Sequence, residues 1–135
     1  MEVFETKASP QFPSHTDTSG IATAVLTSWS EGIADHRPEA VASHFTDNAL
    51  FQGLDKKHGI GRAVITAYYD KQPAGLRAEF RILEHRRLSP DIVLAYAGVD
   101  FTFADGRVLP VHLTVVLQRS GRNWLISHYH VSKIE

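Results

Sequence analysis

Two periods of hydrophobic residues divide the chain. From Thr18 onward Ile21, Ala22, Val25, Leu26, Trp29 and Ile33 recur at spacings of three and four, which predicts one amphipathic helix. Asp17, Thr18 or Ser19 offers an oxygen to cap it. The pattern stops at Asp35-His36-Arg37-Pro38, and Pro38 suits the first turn of a short second helix running through Val41, Ala42 and Phe45. Asp47-Asn48 reads as a turn and residues 49–51 as a short strand. A polar, glycine-rich loop follows over residues 53–61. A third helix runs from Arg62 to about Lys71 with Val64, Ile65, Tyr68 and Tyr69 inward, and Pro73 and Gly75 end it.

Beyond Gly75 the spacing changes to alternation. Residues 76–88 form one extended run, turned at Ser89-Pro90-Asp91 into residues 91–104. Asp105-Gly106 and Ser120-Gly121 then separate residues 107–119 and 122–133. Asp-Gly between alternating runs signals a hairpin, because tight turns need positive φ. Three helices around a short strand, followed by four long antiparallel strands, predict an α+β domain: a cone-shaped curved antiparallel sheet wrapped around three N-terminal helices, a cystatin-like roll. Residues 1–16, with Pro10 and Pro13 among polar side chains, read as a flexible N-terminal arm, and residues 17–135 as the single domain.

Strand alternation converts the turns into a map of faces. A two-residue turn at Asp105-Gly106 sets Asp100 opposite Val111 and Gly98 opposite Leu113, with Val115 and Leu117 further along the same face. A three-residue loop at Ser89-Pro90-Asp91 adds Glu84, opposite Tyr96, and Ile82. At Ser120-Gly121 two registers stay open. A strict turn brings Trp124, Ile126, His128 and His130 to that face; an extra bulged residue, the preferred version, brings Leu125, Ser127, Tyr129 and Val131. The other face then carries Val93, Ala95, Ala97, Val99, Phe101, Phe103, Val116 and Ile126 beside His112, His128 and His130. With the helices expected over Asp100, that second face predicts a homodimer interface.

Composition narrows the function by exclusion. Fourteen Lys+Arg against fifteen Asp+Glu give a formal net charge of −1, which argues against nucleic acid or an anionic membrane as partner. There is no cysteine, hence no disulfide framework or Cys-type zinc site. No apolar run approaches the roughly 20 residues of a membrane span, and the first twenty residues hold no apolar core of signal-peptide length. A cytoplasmic protein is expected. Gly59-Ile60-Gly61-Arg62 lacks the remaining residues of a dinucleotide or P-loop fingerprint and reads as a helix start.

The candidate chemistry lies on the predicted pocket face. Asp100, at mid-strand between Val99 and Phe101, is the candidate general base or acid. Tyr69 and Tyr129 are candidate hydroxyl donors to a developing oxyanion. Trp29, Phe51, Tyr68, Glu84, Tyr96, Leu113, Val115 and Val131 would line the pocket and suit a small apolar or aromatic ligand. His112, His128 and His130 are read as interface histidines; no metal and no cofactor is expected.

Residues 45–69 (FTDNALFQGLDKKHGIGRAVITAYY) and 113–132 (LTVVLQRSGRNWLISHYHVS) resemble the nuclear-transport-factor-2-like superfamily, most closely its SnoaL-like and SgcJ/EcaC-like groups. The shared motifs are Phe-x-Asp-x-Ala, Gly-Ile-Gly-Arg-x-x-Ile and Gly-x-x-Trp-x-Ile-x-x-x-His-x-Ser. The resemblance covers residues 18–133 and implies the same ketosteroid-isomerase-like cone. In ketosteroid isomerases the general-base aspartate falls on Gly53, the first-helix tyrosine on Trp29 and the protonated aspartate near Leu113, so their mechanism is not implied here. The pocket arginines of the calcium/calmodulin-dependent kinase II association domain fall on Gly98, Val115 and Val131. Tyr69 matches a pocket tyrosine of the isomerases. Two readings stay open. One is a cofactor-free isomerase, cyclase or lyase acting on an apolar carbonyl compound; the other is a non-catalytic ligand-binding or homodimeric association module.

Overall fold

The computed structural model describes residues 17–134; the N-terminal arm lies outside the described residues. Helix α1 (Thr18–Ala34) carries the expected stripe, with Ala22, Val25, Leu26, Trp29 and Ile33 buried. None of its hydroxyl or carboxylate candidates makes a side-chain cap bond. Its C-terminus is closed by the backbone instead. His36 N–H donates to Ile33 O at 3.0 Å and Arg37 N–H to Gly32 O at 2.9 Å, with His36 at φ +51°. That is a Schellman closure with histidine in the left-handed position.

Helix α2 (Pro38–Ala42) starts on its proline. Phe45 belongs not to that helix but to strand β1 (Phe45–Gln52), which also contains Asp47 and Asn48 at an irregularity in its pairing. Strand β2 (Gly59–Ile60) pairs with β1, and helix α3 (Arg62–Asp70) buries Ile65 and Tyr69 while leaving Val64 exposed. Four long strands complete the chain: β3 (Arg77–Ser89), β4 (Ile92–Thr102), β5 (Val108–Ser120) and β6 (Asn123–Lys133).

The sheet runs β2-β1-β6-β5-β4-β3. All neighbours are antiparallel except β1 and β6, which are parallel. Helix α1 lies chiefly across β3, so the helices cover the concave face, and among the described residues no layer covers the convex face. Among the described residues no helix is long and apolar enough to cross a membrane.

The β4–β5 hairpin corrects the expected map of faces. Phe103 N–H donates to Arg107 O at 2.8 Å and Gly106 N–H to Phe103 O at 2.9 Å, with Gly106 at φ +92°. Three residues, Ala104 to Gly106, therefore lie between the paired Phe103 and Arg107 where two were expected. One additional residue reverses the parity of the strand. Asp100 opposes Pro110, and Gly98 opposes His112. Val93, Ala95, Ala97, Val99 and Phe101 consequently face the helices and are buried. A homodimer face built on those five residues is thereby overturned, since they are core.

At the β5–β6 hairpin neither expected pairing occurs, because Ser120 pairs with Asn123 around Gly121-Arg122, but each of the two face assignments holds over half the strand. Close to the turn Leu117 opposes Ile126 and Arg119 opposes Trp124. The pairing then shifts between Val116 and Leu117, so that Val115 opposes Tyr129 and Leu113 opposes Val131. Ser127 is the extra residue, and its hydroxyl donates to Val116 O at 3.3 Å. Ile126 and Tyr129 are thus both buried, although three residues apart in one strand.

Candidate functional site

Six aromatic rings from five elements of the fold meet inside the cone. Trp29 comes from α1, Tyr69 from α3, Phe51 from β1, Phe101 from β4 and Tyr129 from β6, with Tyr68 at the rim. The Tyr129 ring stacks on Phe51 at 4.6 Å and 17°. Trp29 meets Phe101 edge-on at 6.1 Å and Tyr129 at 5.9 Å. Quadrupole geometry favours such stacked and edge-on contacts. Trp29 is fully buried, and its indole Nε1–H donates to the Tyr69 hydroxyl at 3.0 Å. The Tyr129 hydroxyl also hydrogen-bonds to Tyr69. A buried indole N–H and two buried phenols thereby satisfy one another, which offsets a cost of about 1–3 kcal/mol for each group left unpaired.

The cavity left among these rings is about 20 Å³, lined by Leu54, Tyr68, Tyr69, Gln72, Leu76, Phe101, Phe103 and Tyr129. That is room for one water, against the ~300 Å³ or more of a drug-sized ligand site. No carboxylate, imidazole or amine is among its lining residues. Burial drives the phenols in one direction. Desolvation pushes the Tyr69, Tyr129 and Tyr68 hydroxyls above their ordinary range, so at neutral pH each is a neutral donor and acceptor.

Of the residues expected in the pocket, the fold brings together Trp29, Phe51, Tyr68, Tyr69 and Tyr129, with Leu113, Val115 and Val131 buried in the sheet wall behind them. Three residues are corrected. Asp100 lies on the convex face and pairs with Arg81, Nη1 to Oδ2 at 3.5 Å, with the carboxylate 36% exposed. Tyr96 is on that face too, its ring 5.2 Å from His112. Glu84 opposes Tyr96, as expected, but is exposed and contacts Arg86. All three follow from the reversed parity of β4. Sequence reasoning missed Leu54, Gln72, Leu76, Phe101 and Phe103. Leu54 had a signal, as the one large apolar side chain among residues 53–58. Phe101 and Phe103 had one in the unbroken apolar alternation from Val93.

A family described as the SnoaL-like domain matches residues 22–134. The chain belongs to the SnoaL-like domain family. No curated protein matches. Among solved structures, the SnoaL-like chain is similar to a domain of unknown function with a cystatin-like fold from Nostoc punctiforme PCC 73102 (TM-score 0.78, 16% identity, 89% of this chain and 79% of that one). It is also similar to a putative calcium/calmodulin-dependent protein kinase II association domain from Xanthomonas campestris (0.75, 18%, 99% and 98%). A third is a putative scytalone dehydratase from Novosphingobium aromaticivorans DSM 12444 (0.77, 13%, 89% and 89%). At these identities the likeness establishes the fold alone, and the fold hosts unrelated activities.

Two further concavities flank the SnoaL-like cone. An open groove of about 720 Å³ runs between the start of α1 and the start of β6, with Ile21, Val25, His44, Arg122 and Trp124 on its walls. Arg87 and Arg119 lie over the Trp124 ring at 5.4 and 6.0 Å. Partial burial lowers the His44 pKa, so the imidazole resists protonation there. On the convex face Leu50, Gln52, His58, His128 and His130 surround an open depression of about 350 Å³. His130 opposes Thr114 and His112 opposes Ser132, so these two imidazoles are not cross-strand partners. Among the described residues no group of three or more His, Asp or Glu side chains is disposed to hold a metal ion.

Proposed function

We propose that this protein binds a small, largely apolar molecule carrying one carbonyl or hydroxyl oxygen, held inside the cone without proton-transfer chemistry. The observation that carries this reading is the buried Trp29–Tyr69–Tyr129 cluster set among aromatic rings with no ionised group beside it. Rings on several sides favour a planar apolar body, and the Tyr69 hydroxyl, oriented by the Trp29 indole, is the fixed polar point against which it is positioned. An isomerase, cyclase or lyase acting by proton abstraction would need a base within hydrogen-bond reach of its substrate. The residues lining the cone supply phenols whose ionisation burial opposes, and Asp100 is on the other side of the sheet. The binding reading is therefore preferred to the catalytic one.

A second copy of the chain is the occupant proposed for the convex face. Leu50, Leu94, Tyr96 and Val116 are half-buried there, among His112, His128 and His130. Four long strands of about 11 residues, at ~4.8 Å spacing and ~3.3 Å rise, present about 700 Å², near the ~800 Å² per partner of a standard interface. Arg81 and Asp100, adjacent on that face, give it both signs of charge, as a self-complementary two-fold contact requires.

Titration with 2-naphthol, a planar bicycle with one hydroxyl, tests the cone reading. Tyr69→Phe should weaken its binding about ten-fold, the worth of one hydrogen bond, while Trp124→Phe in the outer groove leaves it unchanged. Binding indifferent to Tyr69 and lost with Trp124 would overturn the proposal.

A further inference from the structure

A cavity of about 20 Å³ admits no bicyclic ligand, so the cone as a binding site requires that part of its wall move. The walls differ in how firmly they are held. Tyr69, Phe101 and Tyr129 are buried side chains on a helix and two inner strands, and Leu76 is buried directly ahead of β3. Leu54 is different. It projects from the loop joining β1 to β2, in which Gly53 is buried and Asp55 to His58 are exposed.

From these observations we infer that residues 53–58 form a lid over the cone, with Leu54 as its plug, and that ligand passes when this loop lifts. The inference rests on the cone being the ligand site. The attachments holding the loop are polar and mostly at the surface. The Leu54 backbone N–H donates to the Tyr68 hydroxyl at 3.0 Å. Gln52 Nε2 donates to Asp55 O at 2.7 Å and to Gly53 O at 3.3 Å. Lys71 Nζ meets Asp55 Oδ2 at 3.3 Å with both side chains more than half exposed. Such contacts exchange readily for water, so the loop belongs to the low-stability end of the molecule. Both ends of the segment are glycine-based. The Tyr68 ring lies so close to Gly53 that a Cβ there would come within 2.6 Å of Cζ, and Gly61 beyond β2 sits at φ +101°.

The same contacts couple the lid to what the cone holds. Tyr68 lines the cavity, and its hydroxyl accepts the Leu54 N–H. An apolar body entering the cone displaces the Leu54 side chain, and the Leu54 N–H then exchanges the Tyr68 oxygen for water. The ligand class the lid admits is thus the one proposed for the cone, an apolar molecule whose one oxygen reaches Tyr69 inside.

The chain has no native cysteine, which allows a selective clamp. A cleavable bismaleimide across Asp55→Cys/Lys71→Cys should slow stopped-flow association of 2-naphthol at least about ten-fold, and cleavage of the linker should restore it. Leu54→Ala should accelerate association about ten-fold by populating the open mouth. Clamped protein that associates at the unclamped rate, while Tyr69→Phe still weakens binding, overturns the lid and leaves the cone as the site. If no form of the protein binds 2-naphthol, Leu54→Ala included, the cone reading fails and the lid with it.

Discussion

Three of the four tyrosines are ionisable groups held in apolar surroundings, and this sets the alkaline limit of the fold. Their folded pKa values lie above the unfolded value of about 10. The stability they contribute is therefore fully present below about pH 10 and is lost as pH rises through the folded values. Each proton kept by the folded chain and released by the unfolded one costs about 1.4 kcal/mol per pH unit, or about 4 for three. Phenolate absorbance followed with circular dichroism should show Tyr68, Tyr69 and Tyr129 ionising only as the fold is lost. Ionisation of two or more tyrosines in the folded protein would contradict the burial of this cluster. Removing the acceptor of the Trp29 indole by Tyr69→Phe should cost about 1–3 kcal/mol in denaturant unfolding. Asp100→Asn should cost less than about 1 kcal/mol, because its partner Arg81 is 56% exposed and surface pairs contribute little. The same variant should leave 2-naphthol binding unaltered, which a carboxylate on the cavity wall would not permit.

At the level of elements, helix stripes and turn positions are legible in the sequence, whereas strand parity cannot be taken from the turns. Six positions along α1 repeat at helical spacing and are buried or half-buried as that spacing requires. Asp105-Gly106 marks its hairpin correctly, yet Asp-Gly fits two-residue and three-residue loops alike, and the choice reverses every side chain of β4. Core volume settles it. Val93, Ala95, Ala97, Val99 and Phe101 are uniformly apolar, whereas Leu94, Tyr96, Gly98 and Asp100 are mixed, so the alternation itself pointed to the right face. The Ser127 bulge had no such signal: a serine between Ile126 and His128 does not announce itself in sequence. His36 offers an element-scale test. Its left-handed backbone costs a non-glycine residue about 1 kcal/mol, so His36→Gly should stabilise the protein by about 0.5–1 kcal/mol in chemical denaturation. A loss of stability would show that the His36 side chain makes contacts that outweigh this strain.

For the molecule as a whole, helices over one face of a curved sheet leave a sealed cone on one side and, among the described residues, an open four-strand surface on the other. Chain order and the closing motifs carried that architecture in the sequence. Which face held the carboxylate depended on a single loop residue. The proposed two-fold contact through the convex face predicts a dimer in sedimentation velocity, and Val116→Asp should shift it to monomer without unfolding it. A monomeric wild type would remove that contact.

The most direct test uses the two indoles, one in each concavity: Trp29 inside the cone and Trp124 in the outer groove. In a ¹⁵N–¹H correlation spectrum with 2-naphthol added, the Trp29 Nε1–H signal should move while that of Trp124 stays in place. Movement of Trp124 with Trp29 unchanged would place the ligand outside the cone and contradict the account.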